Sequence, residues 1–261
     1  MSSKNVSIAT RMKGYEKVNQ TSLTRRMPVI VRVDGRSFHT LTRGMTRPFD
    51  HNLISIMQNT AQQMTKNIPG CSLAYVQSDE ISFLLTDYKT LETQPWFDNK
   101  VQKIASVTAS MATAYFNREF AKVFPEKYDK ASALFDSRVF NIPREEVVNY
   151  VLWRQQDWTR NSVQMLGRSK FSAKQMLKKS NAEVQEMLWQ EGINWNDLPV
   201  HLRRGACIVK EMVEDRTKYK IDLEPPIISK DRSYIQKWID VEDLDEDPDT
   251  KKKVAGRIYP K

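Results

Sequence analysis

The apolar positions alternate between two periods along the chain, and each change of period marks a new element. Pro28 to Val33 is a β-branched run, apolar on both faces, and reads as a central buried strand. Polar and turn-like residues follow as far as Asp50, which is suited to cap a helix. Beyond it Leu53, Met57, Ala61, Met64 and Ile68 recur at helical spacing until Asn67-Ile68-Pro69-Gly70 closes the segment. Ser72–Gln77 and Ile81–Leu85 are short strand runs joined by Ser78-Asp79-Glu80, a tight hairpin by length and composition. A long helix is predicted from about Trp96 to Phe120, with Val101, Ile104, Ala105, Met111 or Ala112 and Tyr115 on its packed side, and Ala133–Ile142 reads as another strand.

The order β-α-β-β-α-β predicts an α+β fold, a ferredoxin-like antiparallel sheet in which the first strand neighbours the central hairpin. Residues 1–143 then form the core, and 144–225 a mostly helical extension with helices near Arg144–Leu166, Ser172–Lys179 and Asn181–Gln190 and a returning strand at Arg204–Val209. Residues 226–261, rich in Pro, Asp and Lys, are expected to form a loosely packed charged tail.

Composition narrows the function classes. The 261 residues carry a net charge of +9, and seven acids without a base lie between Asp240 and Asp249, which leaves +16 for the rest. Such an excess suits a polyanionic partner, yet charge alone does not separate that reading from a merely basic soluble protein. Two distant cysteines, Cys71 and Cys207, and three histidines argue against a zinc site or a disulfide scaffold. No run approaches a membrane span, and the first residues lack the apolar core of a signal peptide, so the expectation is a soluble cytoplasmic protein with no membrane partner.

The chemistry points to two acidic positions. Asp34-Gly35-Arg36 ends the first strand, and Asp79-Glu80 falls at the hairpin turn that the topology sets beside it. Asp-Gly alone is an ordinary turn pair. Adjacent carboxylates resist joint ionisation unless a cation joins them, which favours a divalent metal set against phosphate. Gly35, without a Cβ, would let its carbonyl reach the metal and its amide a phosphate, and Ser37, Phe38 and His39 could extend that contact through backbone amides and the imidazole. Lys100 and Lys103, one turn apart, suit a solvated helix face. Arg138 shares a strand face with Asp136 in an apolar neighbourhood, where a structural ion pair and a phosphate contact are both open. The helix that contains Trp153 carries one stripe of Val147, Val148, Val151, Gln155, Trp158 and Ser162 and another of Arg154, Asp157, Asn161 and Gln164, the latter either a closed polar network or a face toward nucleotide or RNA.

Taken together, Val31-Arg32-Val33-Asp34-Gly35-Arg36-Ser37-Phe38-His39, Gln77-Ser78-Asp79-Glu80-Ile81-Ser82-Phe83, Phe135-Asp136-Ser137-Arg138 and Trp153-Arg154-Gln155-Gln156-Asp157 resemble the tRNA-His guanylyltransferase family, as do Asn194-Trp195-Asn196-Asp197-Leu198-Pro199 and Arg203-Arg204-Gly205. The resemblance implies a polymerase-palm-like fold and growth of tRNA in the 3′-to-5′ direction. It implies Asp34 and Asp79 as ligands, with the Gly35 carbonyl, of two Mg²⁺, and Glu80 as a further catalytic carboxylate supporting them. It implies Gly35, Arg36, Ser37, Phe38 and His39 on the triphosphate, Arg47 and Asp50 near the activating nucleotide, Ser78 beside the metals, and Lys100, Lys103, Arg138 and Asn161 on phosphates or the tRNA end.

ATP and GTP or another nucleoside triphosphate would be substrates, tRNA the partner, and a dimer of dimers the assembly. Where eukaryotic members read His-Ile-Asn-Asn-Leu-Tyr-Asn, this chain has Thr159-Arg160-Asn161-Ser162-Val163-Gln164-Met165, which is similar to the bacterial and archaeal branch and implies templated repair of 5′-truncated tRNA. A nucleotide cyclase or 5′-to-3′ polymerase would share the carboxylates, and a non-catalytic RNA-binding protein would share the charge.

Overall fold

A computed structural model describes residues 6–213 and 216–240. Its helices are α1 (Ile8–Lys17), α2 (Phe38–Leu41), α3 (His51–Asn67), α4 (Val101–Val123), α5 (Pro125–Tyr128), α6 (Val147–Lys170), α7 (Ala173–Met176), α8 (Asn181–Gln190), α9 (Val200–Arg204) and α10 (Ser233–Ile239). Its strands are β1 (Val29–Gly35), β2 (Cys71–Gln77), β3 (Glu80–Leu85), β4 (Phe135–Asn141), β5 (Ala206–Val213) and β6 (Arg216–Asp222). They form one antiparallel sheet in the order β4-β1-β3-β2-β5-β6. The expected four-strand core is intact, with β1 between β3 and β4.

Alternation along each strand splits the packing into two layers. Val29, Val31, Val33, Ile81 and Phe83 face α3 and α4, with Met57, Met64, Ile104 and Phe116 closing over them. Ile30, Leu73, Tyr75 and Leu84 face the other way, under Val147, Val148 and Val151 of α6. The stripe expected on α6 is the one buried, down to Trp158 and Ser162.

Asp50 caps α3 by accepting from the Leu53 amide at 3.1 Å, as its position predicted. Gly70 ends that segment with φ +74°, where an added Cβ would stand 2.9 Å from the Thr86 carbonyl. Glycine alone fits there.

Three expectations need correction. The second long helix starts at Val101, because Phe97, Asp98 and Asn99 all take left-handed φ values in the turn before it. A sixth strand, β6, was not foreseen. Its Lys-rich sequence hides an alternation in which Tyr219 and Ile221 pack against the α3–α4 layer. The tail from residue 226 is not loose as far as it is described: Ile228, Ile235 and Ile239 are fully buried beside Val147 and Tyr75, and α10 is held there. Beyond Asp240, the acidic segment and the rest of that tail lie outside the described residues. Among the described residues no helix is long and apolar enough to cross a membrane. Cys71 and Cys207 are free and buried, and burial pushes both thiols up to about 12, which leaves them unreactive.

Candidate active site

β1 and the β2–β3 hairpin end together, and that alignment builds the site. Gln77 pairs with Glu80, so the turn is the two residues Ser78 and Asp79, with Ser78 left-handed at φ +48°. The Gly35 amide donates to the Asp79 carbonyl at 3.0 Å, fastening the tip of the hairpin to the end of β1. Asp34 stands directly opposite Glu80 on one side and Asp136 on the other, all on one face of the sheet.

The two predicted metal carboxylates differ from their neighbour in their surroundings. Burial raises the Asp79 carboxyl above the ordinary aspartate range, opposed by a hydrogen bond from Ser78, while the charge of Asp34 raises it further. Among the described residues neither Asp34 nor Asp79 forms an ion pair. Glu80 is served quite differently. Arg154 of α6 grips both its oxygens, Nε to Oε1 at 2.7 Å and Nη2 to Oε2 at 3.0 Å, with Arg32 Nε 4.0 Å from Oε2. Burial raises the Glu80 carboxyl and the two guanidinium groups hold it back. Arg154 Nη2 also reaches Asp157 at 2.9 Å. Glu80 is therefore the sheet's anchor for α6, and it has little donor capacity to spare for a metal.

No cluster of three or more His, Cys, Asp or Glu side chains is preassembled around an ion among the described residues. The donors that do converge are oxygens, two carboxylates without a counter-cation, and that set fits a hard divalent cation such as Mg²⁺.

Beside the carboxylates lies a cavity of about 640 Å³, walled by Gly35, Ser37, Phe38 and His39 on one side and by Arg47 and Asp50 on another, with Ser78 and Asp79 at its rim. Eight of the predicted residues thus meet in one space. Phe38 contributes only an edge, because its ring is buried between Phe116 and Phe135, each at 5.3 Å. Asp50 spends its carboxylate on the α3 cap and on the Thr46 amide. The amides of Gly35 and Arg36 are likewise engaged, the latter by Leu134 at 2.8 Å, so the expected Gly35 amide-to-phosphate contact is not available. What demands glycine at position 35 is close packing, since a Cβ there would lie 2.3 Å from the Phe38 ring and 3.0 Å from Asp79 Cβ. Gly35→Ala should push Phe38 from its aromatic nest and destabilise the fold by about 1–3 kcal/mol in a denaturant titration.

A second cavity of about 620 Å³ adjoins the first through Ser78, Trp158, Met165 and Arg168, and is lined further along by Asn161, Gln164 and Lys179. Asn161 is therefore in the site region. Arg168, shared by both cavities, was missed by sequence reading, and its place four residues after Gln164, the next step of the Arg154-Asp157-Asn161-Gln164 stripe, was the available signal. The stripe itself is a closed network in its first half, Arg154 and Asn161 both meeting Asp157, and opens to the second cavity only at Asn161 and Gln164.

Two predicted contacts lie elsewhere, and a third lies outside the cavities on the edge strand. Lys100 bridges to Ser22, and the adjoining Thr24 amide is held by Asn141, which pairs with Val29 at the far end of β1. Lys100 faces Asp98 at 3.5 Å, and Lys103 lies over the Phe97 ring at 4.6 Å. One chain does not bring these lysines to Asp34. Arg138 is exposed on the edge strand, 3.9 Å from Asp136, and its expected apolar surroundings are absent.

Comparison with known proteins shows the family. The family model described as Thg1, tRNAHis guanylyltransferase, matches residues 9–143. A probable tRNA(His) guanylyltransferase of Dictyostelium discoideum is 31% identical over 204 residues, covering 73% of this chain and 78% of that protein. Among solved structures, a bacterial tRNA(His) guanylyltransferase (Thg1)-like protein in complex with ATP superposes with a TM-score of 0.84 at 48% identity, over 89% of this chain and 99% of the other. A bacterial tRNA(His) guanylyltransferase (Thg1)-like protein in complex with GTP gives 0.76 at 45%, over 90% and 99%. On fold, family model and homologues alike, the chain belongs to the tRNA-His guanylyltransferase family.

Proposed function

We propose that this protein is a nucleotidyltransferase that adds nucleotides to the 5′ end of tRNA, drawing on ATP and GTP or another nucleoside triphosphate. The observation that carries it is the pair Asp34 and Asp79, near enough that the charge of one raises the carboxyl of the other and without a protein cation, with Asp79 at the rim of a cavity large enough for a nucleotide. Asp34, Asp79 and the Gly35 carbonyl would hold two Mg²⁺, which when bound would lower the pKa of an attacking 3′-hydroxyl and neutralise the leaving pyrophosphate or AMP.

The chain's own residues supply the rest. The imidazole of His39 and the guanidinium of Arg47 stand on the cavity wall where a polyphosphate can be paired, and the buried face of Trp158 closes it to water. Arg168 sits where a chain of phosphates would pass from the first cavity to the second. Glu80 acts through Arg154, as a positioning residue. Neither buried thiol takes part, so the transfer runs without a covalent cysteine intermediate.

We read the branch as templated repair of truncated 5′ ends, from Thr159-Arg160-Asn161, and the protein as a cytoplasmic homotetramer, both on the strength of the resemblance. The test is to incubate the protein with full-length and 5′-truncated tRNA and each nucleotide in turn, then sequence the 5′ ends. Added residues complementary to the opposite strand are the expected result. Guanosine alone regardless of that strand would overturn repair, and nucleotide consumption without tRNA would overturn the tRNA reading altogether.

A further inference from the structure

The face of β1 and β4 that bears Asp34 and Asp136 also bears Arg32 and Arg138 one step further along, and α6, which packs over it, carries an exposed indole. Trp153 on α6 is 51% exposed. It is nonetheless fixed. The Arg154 guanidinium lies 4.3 Å from its ring centre, and Tyr150 meets it edge-on at 5.9 Å. Tyr150 in turn touches Phe140 of β4 at 6.0 Å, which gives the register. One step from that contact toward the carboxylates brings Arg138 on the strand and Trp153 on the helix. Arg32 lies on β1 directly opposite Arg138, and its Nε is buried without a hydrogen-bond partner. The next pair in the same direction is Asp34 and Asp136. Trp153 lines neither described cavity.

We propose that Trp153, Arg138 and Arg32 form a docking surface for unpaired nucleotides of the RNA strand opposite the growing 5′ end, with Trp153 stacking one base and the arginines holding its phosphates. The inference rests on the reading of 5′ addition given above. Addition at a truncated 5′ end leaves the complementary strand continuing past it unpaired, and only unpaired nucleotides offer a base face and a phosphate together. A duplex keeps its bases stacked inside and offers a base face only at its terminal pair, so along its length an indole would find nothing to stack on. A preset aromatic face flanked by cations suits the unpaired strand, and the surface begins where Asp34 ends. Asp136, 3.9 Å from Arg138, opposes phosphate and confines it to the Arg32 side.

The experiment uses the full chain without nucleotide, titrated into fluorescently labelled RNA hairpins that are either blunt or carry a four-nucleotide 3′ overhang. The wild type is expected to bind the overhang more tightly. Trp153→Ala should weaken overhang binding on the order of 10-fold while leaving blunt binding unchanged, and Trp153→Phe should restore most of it. Arg138→Ala should make the salt dependence of overhang binding shallower by about one counterion. Equal loss on both hairpins, no loss on either, or a change of molecular mass in Trp153→Ala would each overturn the proposal, the last by making the indole a contact between copies. Nucleotide addition by the wild type, measured in parallel, reports on the underlying reading separately from these binding results.

Discussion

Asp79→Asn is expected to abolish 5′ addition and at the same time to make the protein more resistant to heat. The first effect follows from loss of a shared oxygen ligand, and should exceed about 10³-fold in rate. The second follows from the direction of the Asp79 shift. Burial raises its folded-state pKa above the unfolded value, so the ionised carboxylate at neutral pH is a cost to the fold. A raised acid gives a contribution that is fully present below the unfolded pKa and is lost as pH rises through the folded one. The amide variant escapes that loss. At pH 7 its Tm should rise, at roughly 2–4 °C per kcal/mol of relieved cost. The gap should close as the pH is lowered below the ordinary aspartate range. Mg²⁺ should stabilise the wild type and leave Asp79→Asn unmoved, because binding to the native state alone raises stability by mass action. Scanning calorimetry with and without Mg²⁺ reads all three. A variant that is destabilised at pH 7 and still responds to Mg²⁺ would remove Asp79 from the metal site.

The legible and the hidden parts of the site divide along a physical line. Asp34 and Asp79 could be paired from sequence because strand ends and a two-residue turn are local signals, and the β-α-β-β order does the rest. The helix register of α6 was legible too, since its buried stripe follows from period alone. Periodicity gives a helix its inner face and leaves open which end meets the site. Lys100 shows that gap: period gives it and Lys103 a solvated helix face, and only the structure sets Lys100 toward the far end of β1. The tail failed for another reason: Ile228, Ile235 and Ile239 are three apolar positions diluted among Pro, Lys and Asp, and mean composition conceals them although they are fully buried. β6 was hidden in the same way, its Tyr219 and Ile221 alternating with lysines.

Glu80 is where sequence and structure diverge most in meaning, and a double-mutant cycle with Arg154 separates the two roles. Both groups are buried, with side-chain exposures of 10% and 9%, so removing one strands the other's charge. Arg154→Met alone should destabilise the protein by about 3–5 kcal/mol in chemical denaturation, with Glu80→Gln milder because the amide can still accept from the guanidinium. The double variant Glu80→Gln with Arg154→Met should recover much of the loss, since apolar or neutral replacement of both partners is often close to neutral. Asp157 limits the recovery, because it loses its 2.9 Å bond to Arg154 in either case. If Glu80 is an anchor, addition should follow stability: weak in Arg154→Met through misplaced α6, and largely regained in the double variant under conditions where it is folded. If Glu80 is instead a catalytic carboxylate, Glu80→Gln and the double variant would remain as inactive as Asp34→Asn however stable they are. Burial and the two-pronged clasp favour the first outcome, because a carboxylate whose oxygens are both held by a guanidinium is committed to geometry before any substrate arrives.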